Sequence, residues 1–278
     1  MDALWTECTE FVGLFERVRA VCRRCALPRT RDLISSDVFL TNCRTMTDDQ
    51  AEFPLAGGRV AAKVVRVGDT VRKPVTANSD FVRRLLRHLT SKGFHGSPAF
   101  LGTDERERDI LTFIDGNVPR ELSYYDGPAL RDAAELIREF HDLSSELVAS
   151  HTTEAGIEIV CHNDLSPCNF VFRGNTPVAI IDFDASAPGS RAHDLGYAAW
   201  LWLDLGSPEI SAVDQQQRLA TFLEAYGELS IDPILEAMLE RQTLLVEEGR
   251  RIGDGSMAEW ANACNDWTRK NLQILRSA

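Results

Sequence analysis

The sequence predicts an α+β protein of two lobes, a small β-rich lobe holding one helix and a larger, mainly helical lobe. Three observations predict it. Between Pro54 and Asp115, short β-branched runs alternate with turn residues around a single amphipathic segment. From about residue 128 onward, apolar residues recur mostly at helical spacing, with Gly, Pro, Asp or Ser at the segment boundaries. At 44% hydrophobic and 26% charged over 278 residues, the chain can bury a sizeable core, which excludes wholesale disorder.

The elements follow in order. Residues 1–45 hold Cys8, Cys22, Cys25 and Cys43 but little organised pattern, and are expected to be an extension, with Met46 a candidate natural start. A zinc site on Cys22 and Cys25 with Cys8 and Cys43 is a weaker reading, because the outer pair is not closely spaced. Seven cysteines, an odd number, give no disulfide framework. Residues 46–115 form the β-rich lobe. Gly57-Gly58 is a flexible turn, and Val60 to Val67 and Val71 to Val75 make a hairpin through Gly68-Asp69. Ser79 is a candidate cap for a helix with apolar positions Phe81, Val82, Leu85, Leu86 and Leu89, ended by Gly93. Strands are expected at Ala99 to Gly102 and Asp109 to Ile114, before an Asp115-Gly116 linker. Residues 116–278 form the helical lobe, with helices near 128–147, 191–204, 211–226, 232–251 and 257–276, and two short β runs inside 157–190.

Charge divides the chain in the same place. Residues 1–118 carry 18 Lys/Arg and 16 Asp/Glu, whereas 119–278 carry 12 and 26, for a net charge of −12 overall. That balance argues against a general nucleic-acid binder, which needs a basic face for phosphates. No apolar run approaches the roughly 18 residues of a membrane helix. Asp2, Glu7, Glu10 and Glu16 stand where a secretion signal needs a basic start, so a cytoplasmic location is expected.

The informative stretch runs from Val160 to Asp184. His162-x-Asp164 followed by Asn169 sets a carboxylate and a carboxamide on one tight loop, and a hairpin turning at Gly174-Asn175 returns Asp182 to the same end. Magnesium takes hard oxygen ligands, one or two from protein and the rest from phosphates and water, and Asn169 with Asp182 supply two. Asp164 is then left to orient a substrate hydroxyl and accept its proton.

HNDLSPCN followed by IDFD resembles the catalytic and metal-binding segments of the aminoglycoside phosphotransferase and choline kinase superfamily, relatives of protein kinases. The resemblance covers about residues 54–278. It implies a protein-kinase-like fold, Mg2+ with ATP or GTP as co-substrate, and a small-molecule acceptor, since Asn163 and Asp184 replace the Arg and Gly of the protein-kinase motifs. It also implies a phosphate-holding lysine on a small-lobe strand, Lys73 before Lys63, and adenine binding along the backbone near Phe113 and Ile114. Gly57 and Gly58 are candidates for backbone approach to phosphate. Asp194 is expected to accept backbone N–H groups of the catalytic loop, and His162 to brace that loop. Kinases steady the lysine with a helix glutamate, but the segment Ser79 to Lys92 has none. Asp69 or Asp182 is the expected substitute, with Asp80 too near the helix start and His88 expected to pack locally.

An acidic helical lobe suits a cationic acceptor such as an aminoglycoside or another amine-bearing antibiotic, with Glu247, Glu248, Glu259 and Asp266 as candidate contacts. Trp260 and Trp267, seven apart, are an alternative cage for a quaternary ammonium, with core packing the commoner meaning of that spacing. Trp200 and Trp202 are expected in the core, and Cys161 and Cys168 as buried fillers. A different class of function is a nucleotide-binding pseudokinase or toxin-immunity protein acting by sequestration, which the missing glutamate motivates.

Overall fold

The computed structural model describes residues 51–55, 64–149, 154–227 and 229–278. The extension, the four early cysteines, Met46, Gly57, Gly58 and Lys63 lie outside them. Among the described residues the small lobe is an antiparallel sheet of β1 (Phe53–Pro54), β2 (Val65–Val67), β3 (Thr70–Lys73), β4 (Phe100–Thr103) and β5 (Asp109–Thr112), in the order β1-β2-β3-β5-β4. The turn at Gly68-Asp69 pairs Val67 with Thr70, Gly68 taking the positive φ of 57° that the tight reversal requires. Pro74 lacks the N–H to continue the ladder, so β3 ends at Lys73.

Helix α1 (Ser79–Ser91) buries Phe81, Val82, Leu85, Leu86 and Leu89, the stripe that predicted it. Its cap differs from the expectation. Asn78 is the N-cap residue, and Ser79 is the first helical residue, its hydroxyl accepting the Thr76 N–H at 2.8 Å. The linker is also more than a hinge. Asn117 bridges Phe172, and a Cβ at Gly116 would stand 2.6 Å from the Phe172 carbonyl oxygen, so only glycine allows that approach.

The large lobe contains α2 (Gly127–Ala149), α3 (Arg191–Trp202), α4 (Ala212–Tyr226), α5 (Ile231–Arg251) and α6 (Gly255–Leu275). Between α2 and α3 the described residues form four strands rather than two, paired as β6 (Ile159–Cys161) with β9 (Ala187–Gly189) and β7 (Phe170–Arg173) with β8 (Thr176–Ile180). Two of them are only three residues long, too short for period-two alternation to reveal. Trp200 and Trp202 are buried in the core as expected. Trp260 stacks on Trp200, with ring centroids 4.9 Å apart and planes 17° apart, which commits its face to packing rather than to a cage with Trp267. No helix among the described residues is long and apolar enough to cross a membrane.

Candidate active site

The loop after β6 holds His162, Asn163 and Asp164, and α3 fixes it from beneath. Asp194, in the first turn of α3 and fully buried, accepts the His162 N–H at 2.7 Å and the Asn163 N–H at 2.8 Å. Burial pushes the Asp194 carboxyl up, but the hydrogen bond from His141, together with His162 and its backbone N–H, outweighs it and holds the group below its usual range. His141 Nε2 lies 3.1 Å from Asp194, while its Nδ1 faces the Tyr226 hydroxyl at 2.8 Å. Arg191 in turn donates to that hydroxyl at 2.9 Å. A neutral imidazole protonated at Nε2 satisfies every member of this chain, and burial lowers the His141 pKa in that direction.

Asn163 takes a left-handed backbone, φ 65°, which asparagine tolerates better than most residues. Its side chain donates to the Ala185 carbonyl at 2.8 Å, tying the loop to the segment after β8. His162 does the same from its ring, with Nε2 3.1 Å from the Ile181 carbonyl oxygen and an edge contact to Phe183. Asp164 is 4% exposed and its two oxygens have different partners. Asn169 Nδ2 donates to Oδ2 at 2.8 Å and Tyr197 O–H donates to Oδ1 at 3.1 Å. Asn169, in the 3-10 turn Pro167–Asn169, also donates to the Asp164 carbonyl, which ties its amide nitrogen to Asp164 and turns its oxygen the other way.

Asp182 follows β8 in a left-handed conformation, φ 71°. Lys73 crosses from the small lobe to meet it. Lys73 Nζ is 2.6 Å from Asp182 Oδ1 and 2.7 Å from Asp184 Oδ1, with all three side chains largely shielded from water. Of the substitutes expected for the missing glutamate, Asp182 is present and Asp69 is not, since Asp69 faces Arg66 at 3.5 Å. Asp80 pairs with Arg83, and His88 faces the Leu143 carbonyl, a local contact. Phe113 donates its N–H to Asp69 O and carries the Arg66 guanidinium 3.7 Å above its ring, and Ile114 follows half-buried. Cys161 and Cys168 are held away from the thiolate by burial.

His141, Tyr226, Arg191, Tyr197 and Arg241 of this arrangement were not picked from sequence. Tyr197 lies one helical turn beyond Asp194, so an i, i+3 step from that acid points at it. Arg241 is buried on α5, donates to the Asn163 carbonyl at 3.0 Å and lies 4.5 Å above the Tyr197 ring. Its signal was a cation inside the apolar stripe Ile234, Leu235, Met238, Leu245. The four acids proposed for a cationic acceptor have other surroundings. Glu248 is held by Arg251 at 2.5 Å, Asp266 accepts from Asn262, and Glu247 and Glu259 are exposed on α5 and α6.

The donor set fits Mg2+. Asn169 and Asp182 offer a carboxamide and a carboxylate, hard oxygens suited to an ion that completes its shell with phosphates and water. No group of three or more His, Cys, Asp or Glu that could hold a metal occurs among the described residues.

Comparison with known proteins bears on the family and the fold. The chain is 28% identical over 194 residues to the trifolitoxin immunity protein of Rhizobium leguminosarum bv. trifolii, spanning 62% of this chain and 72% of that protein. It is 30% identical over 122 residues to an uncharacterised protein of Deinococcus radiodurans, spanning 41% of this chain but only 35% of that one. Among solved structures, the fold matches an aminoglycoside phosphotransferase from Alicyclobacillus acidocaldarius with a TM-score of 0.56 at 15% identity, over 87% of this chain and 96% of that one. The GDP and kanamycin complex of APH(2'')-IIIa matches with a TM-score of 0.50 at 16% identity, over 81% and 95%. The kinase-like fold is thereby shown. The profile of one family covers residues 88–231, just over half the chain and the whole of the loop, hairpin and helix that assemble Asp164, Asn169, Asp182 and Asp194, and by that match the protein belongs to the phosphotransferase enzyme family.

Proposed function

We propose that this protein transfers the γ-phosphoryl group of ATP or GTP to a hydroxyl of a small acceptor. The observation that carries the reading is the convergence of Lys73, from the small lobe, on Asp182 and Asp184 beside the loop of Asp164 and Asn169. Asn169 and Asp182 would hold Mg2+, which with the nucleotide supplies neutralisation of phosphate charge. Lys73 binds the non-transferred phosphates, and the backbone at Phe113 and Ile114 receives the base. Gly57 and Gly58 remain candidates for phosphate approach. Asp164 aligns the acceptor hydroxyl and takes its proton as the acceptor oxygen bonds to the γ-phosphorus and the bond to the nucleoside diphosphate breaks. His162 and Asp194 hold the loop so that this alignment costs no reorganisation. Asp164→Asn should abolish transfer while leaving Mg-nucleotide binding largely intact, and unchanged turnover in that variant would overturn the reading.

The likeness to an immunity protein favours a second reading, protection by sequestration of a toxic molecule without chemistry. The same variant separates the two. Sequestration leaves a host expressing Asp164→Asn protected, whereas phosphorylation leaves it sensitive. Panels of aminoglycosides, peptide antibiotics and amino alcohols would identify the acceptor. A soluble, cytoplasmic setting suits a nucleotide-dependent enzyme of this kind.

A further inference from the structure

Away from Asp164, an open groove of about 630 Å³ lies between the segment at Tyr124, the turn after α3 and the start of α4. That volume is within the range of small-molecule sites. Its charges are of both signs. Asp204, Glu209 and Asp214 bring three carboxylates, and Arg218 brings a guanidinium to the same lining. Arg218 is only 8% exposed, and Nη1 donates to the Tyr125 carbonyl at 2.6 Å. Nε and Nη2 have no hydrogen-bond partner among the described residues, although acids line the same groove. The Tyr124 ring, itself 64% exposed, covers the guanidinium with its centroid 4.2 Å from Cζ.

Nε and Nη2 form one edge of a guanidinium, with two parallel N–H groups that match the two oxygens of a carboxylate. Burying that edge unsatisfied is unfavourable, and an anion received there removes the penalty. We infer that the groove binds a zwitterion, a short basic peptide with a free C-terminal carboxylate. The carboxylate meets the Nε and Nη2 edge of Arg218 once Tyr124 turns aside, and ammonium groups lie against Asp204, Glu209 and Asp214. The groove connects to the catalytic loop through Arg218, which holds the Tyr125 carbonyl. Tyr125 packs on Trp202 with centroids 4.9 Å apart, and Trp202 Nε1 donates to the carbonyl of Leu165, next to Asp164. As a statement about the acceptor, the inference rests on the phosphotransferase reading; as a statement about binding, it does not.

The test is calorimetric titration of the full chain with the tripeptide Lys-Ser-Lys as free acid and as C-terminal amide. The groove acids alone favour the amide, which carries one more positive charge. Only an engaged Arg218 reverses that order. The free acid should therefore bind at least tenfold more tightly than the amide, Arg218→Gln should restore preference for the amide, and Asp204→Asn should weaken both. Tyr124→Ala keeps the guanidinium, uncovers it, and should tighten binding of the free acid; it serves where Arg218→Gln fails to fold. Equal or weaker binding of the free acid, or no binding of either peptide at millimolar concentration, overturns the inference. Mg-nucleotide titrations of the native protein and of Asp182→Asn run alongside. Nucleotide binding that Asp182→Asn abolishes keeps the phosphotransferase reading alive if the groove fails, and its absence sinks that reading while leaving a peptide preference to stand for the groove.

Discussion

Lys73 Nζ stands 2.7 Å from Asp184 Oδ1, so the acid that shares this lysine with Asp182 comes from the segment after β8 and not from α1. Asn78 secures that segment, its Nδ2 donating to the carbonyls of Asp184 and Ser186, both at 2.9 Å. The helix cap residue thus spends its side chain across the lobes instead of on its own helix. Asp184→Asn should raise the nucleotide KM about tenfold, on the order of 1.4 kcal/mol, with a smaller effect on kcat. An unchanged KM in steady-state kinetics would show that Asp182 alone orients the lysine.

Tyr197 O–H donates to Asp164 Oδ1 on the side opposite Asn169. With both oxygens held, the carboxylate has one orientation to offer an acceptor. Hydrogen bonds to charged groups contribute about 1.5–3 kcal/mol, so Tyr197→Phe should lower kcat at least about tenfold. The nucleotide KM should not move, because the hydroxyl's partner is Asp164, which is not proposed to hold nucleotide. A rise in KM with constant kcat would contradict the assignment.

Legibility in the sequence followed range. The helices were plain because an apolar stripe is written within one segment, as in Leu130, Ala133, Ile137 and Phe140 of α2. Asp164, Asn169 and Asp182 were plain because loop and hairpin spacing confine them to one end of one unit. The Lys73 to Asp184 contact spans 111 positions and depends on how two lobes meet, which no local pattern encodes. Arg241 and Tyr197 were hidden for the same reason, each sitting among apolar neighbours on a helix whose partner face is known only after packing. The acids of α5 and α6 show the converse, since composition located negative charge in the large lobe without saying which surface carries it.

Stability should fall on the acid side. Burial holds His141 below its usual pKa of 6.5, with Asp194 opposing. The unfolded chain therefore binds a proton near pH 6.5 that the folded protein takes up only at lower pH, and stability declines as pH falls below 6.5. Asp194 acts in the same direction lower down. Its folded pKa lies below 3.8, so its contribution is present above that value and is lost as pH falls through the folded pKa. The melting temperature should drop between pH 7 and pH 5, and His141→Gln should flatten that slope while lowering the melting temperature at pH 7. A slope equal to that of the native protein would remove His141 from the account.

Gly196 sets how closely α3 approaches α5. A Cβ there would stand 2.7 Å from the Met238 backbone nitrogen and 2.9 Å from the Ile234 carbonyl oxygen, and backbone atoms of a packed helix cannot step aside as a side chain can. Gly196→Ala therefore separates the helices, and the loss should be about 2–3 kcal/mol in urea unfolding. The damage should also reach catalysis. Asp194 and Tyr197 flank Gly196 on α3, and Arg241 holds the Asn163 carbonyl from α5, so parting the helices pulls on the catalytic loop from two sides. Gly255 is the control, since a Cβ there meets nothing within 4 Å among the described residues at the start of α6. Gly255→Ala should leave stability and kcat near native values. If Gly196→Ala lowers stability without lowering kcat, the helix spacing serves the core alone, and the loop's alignment rests on Asp194 independently of α5.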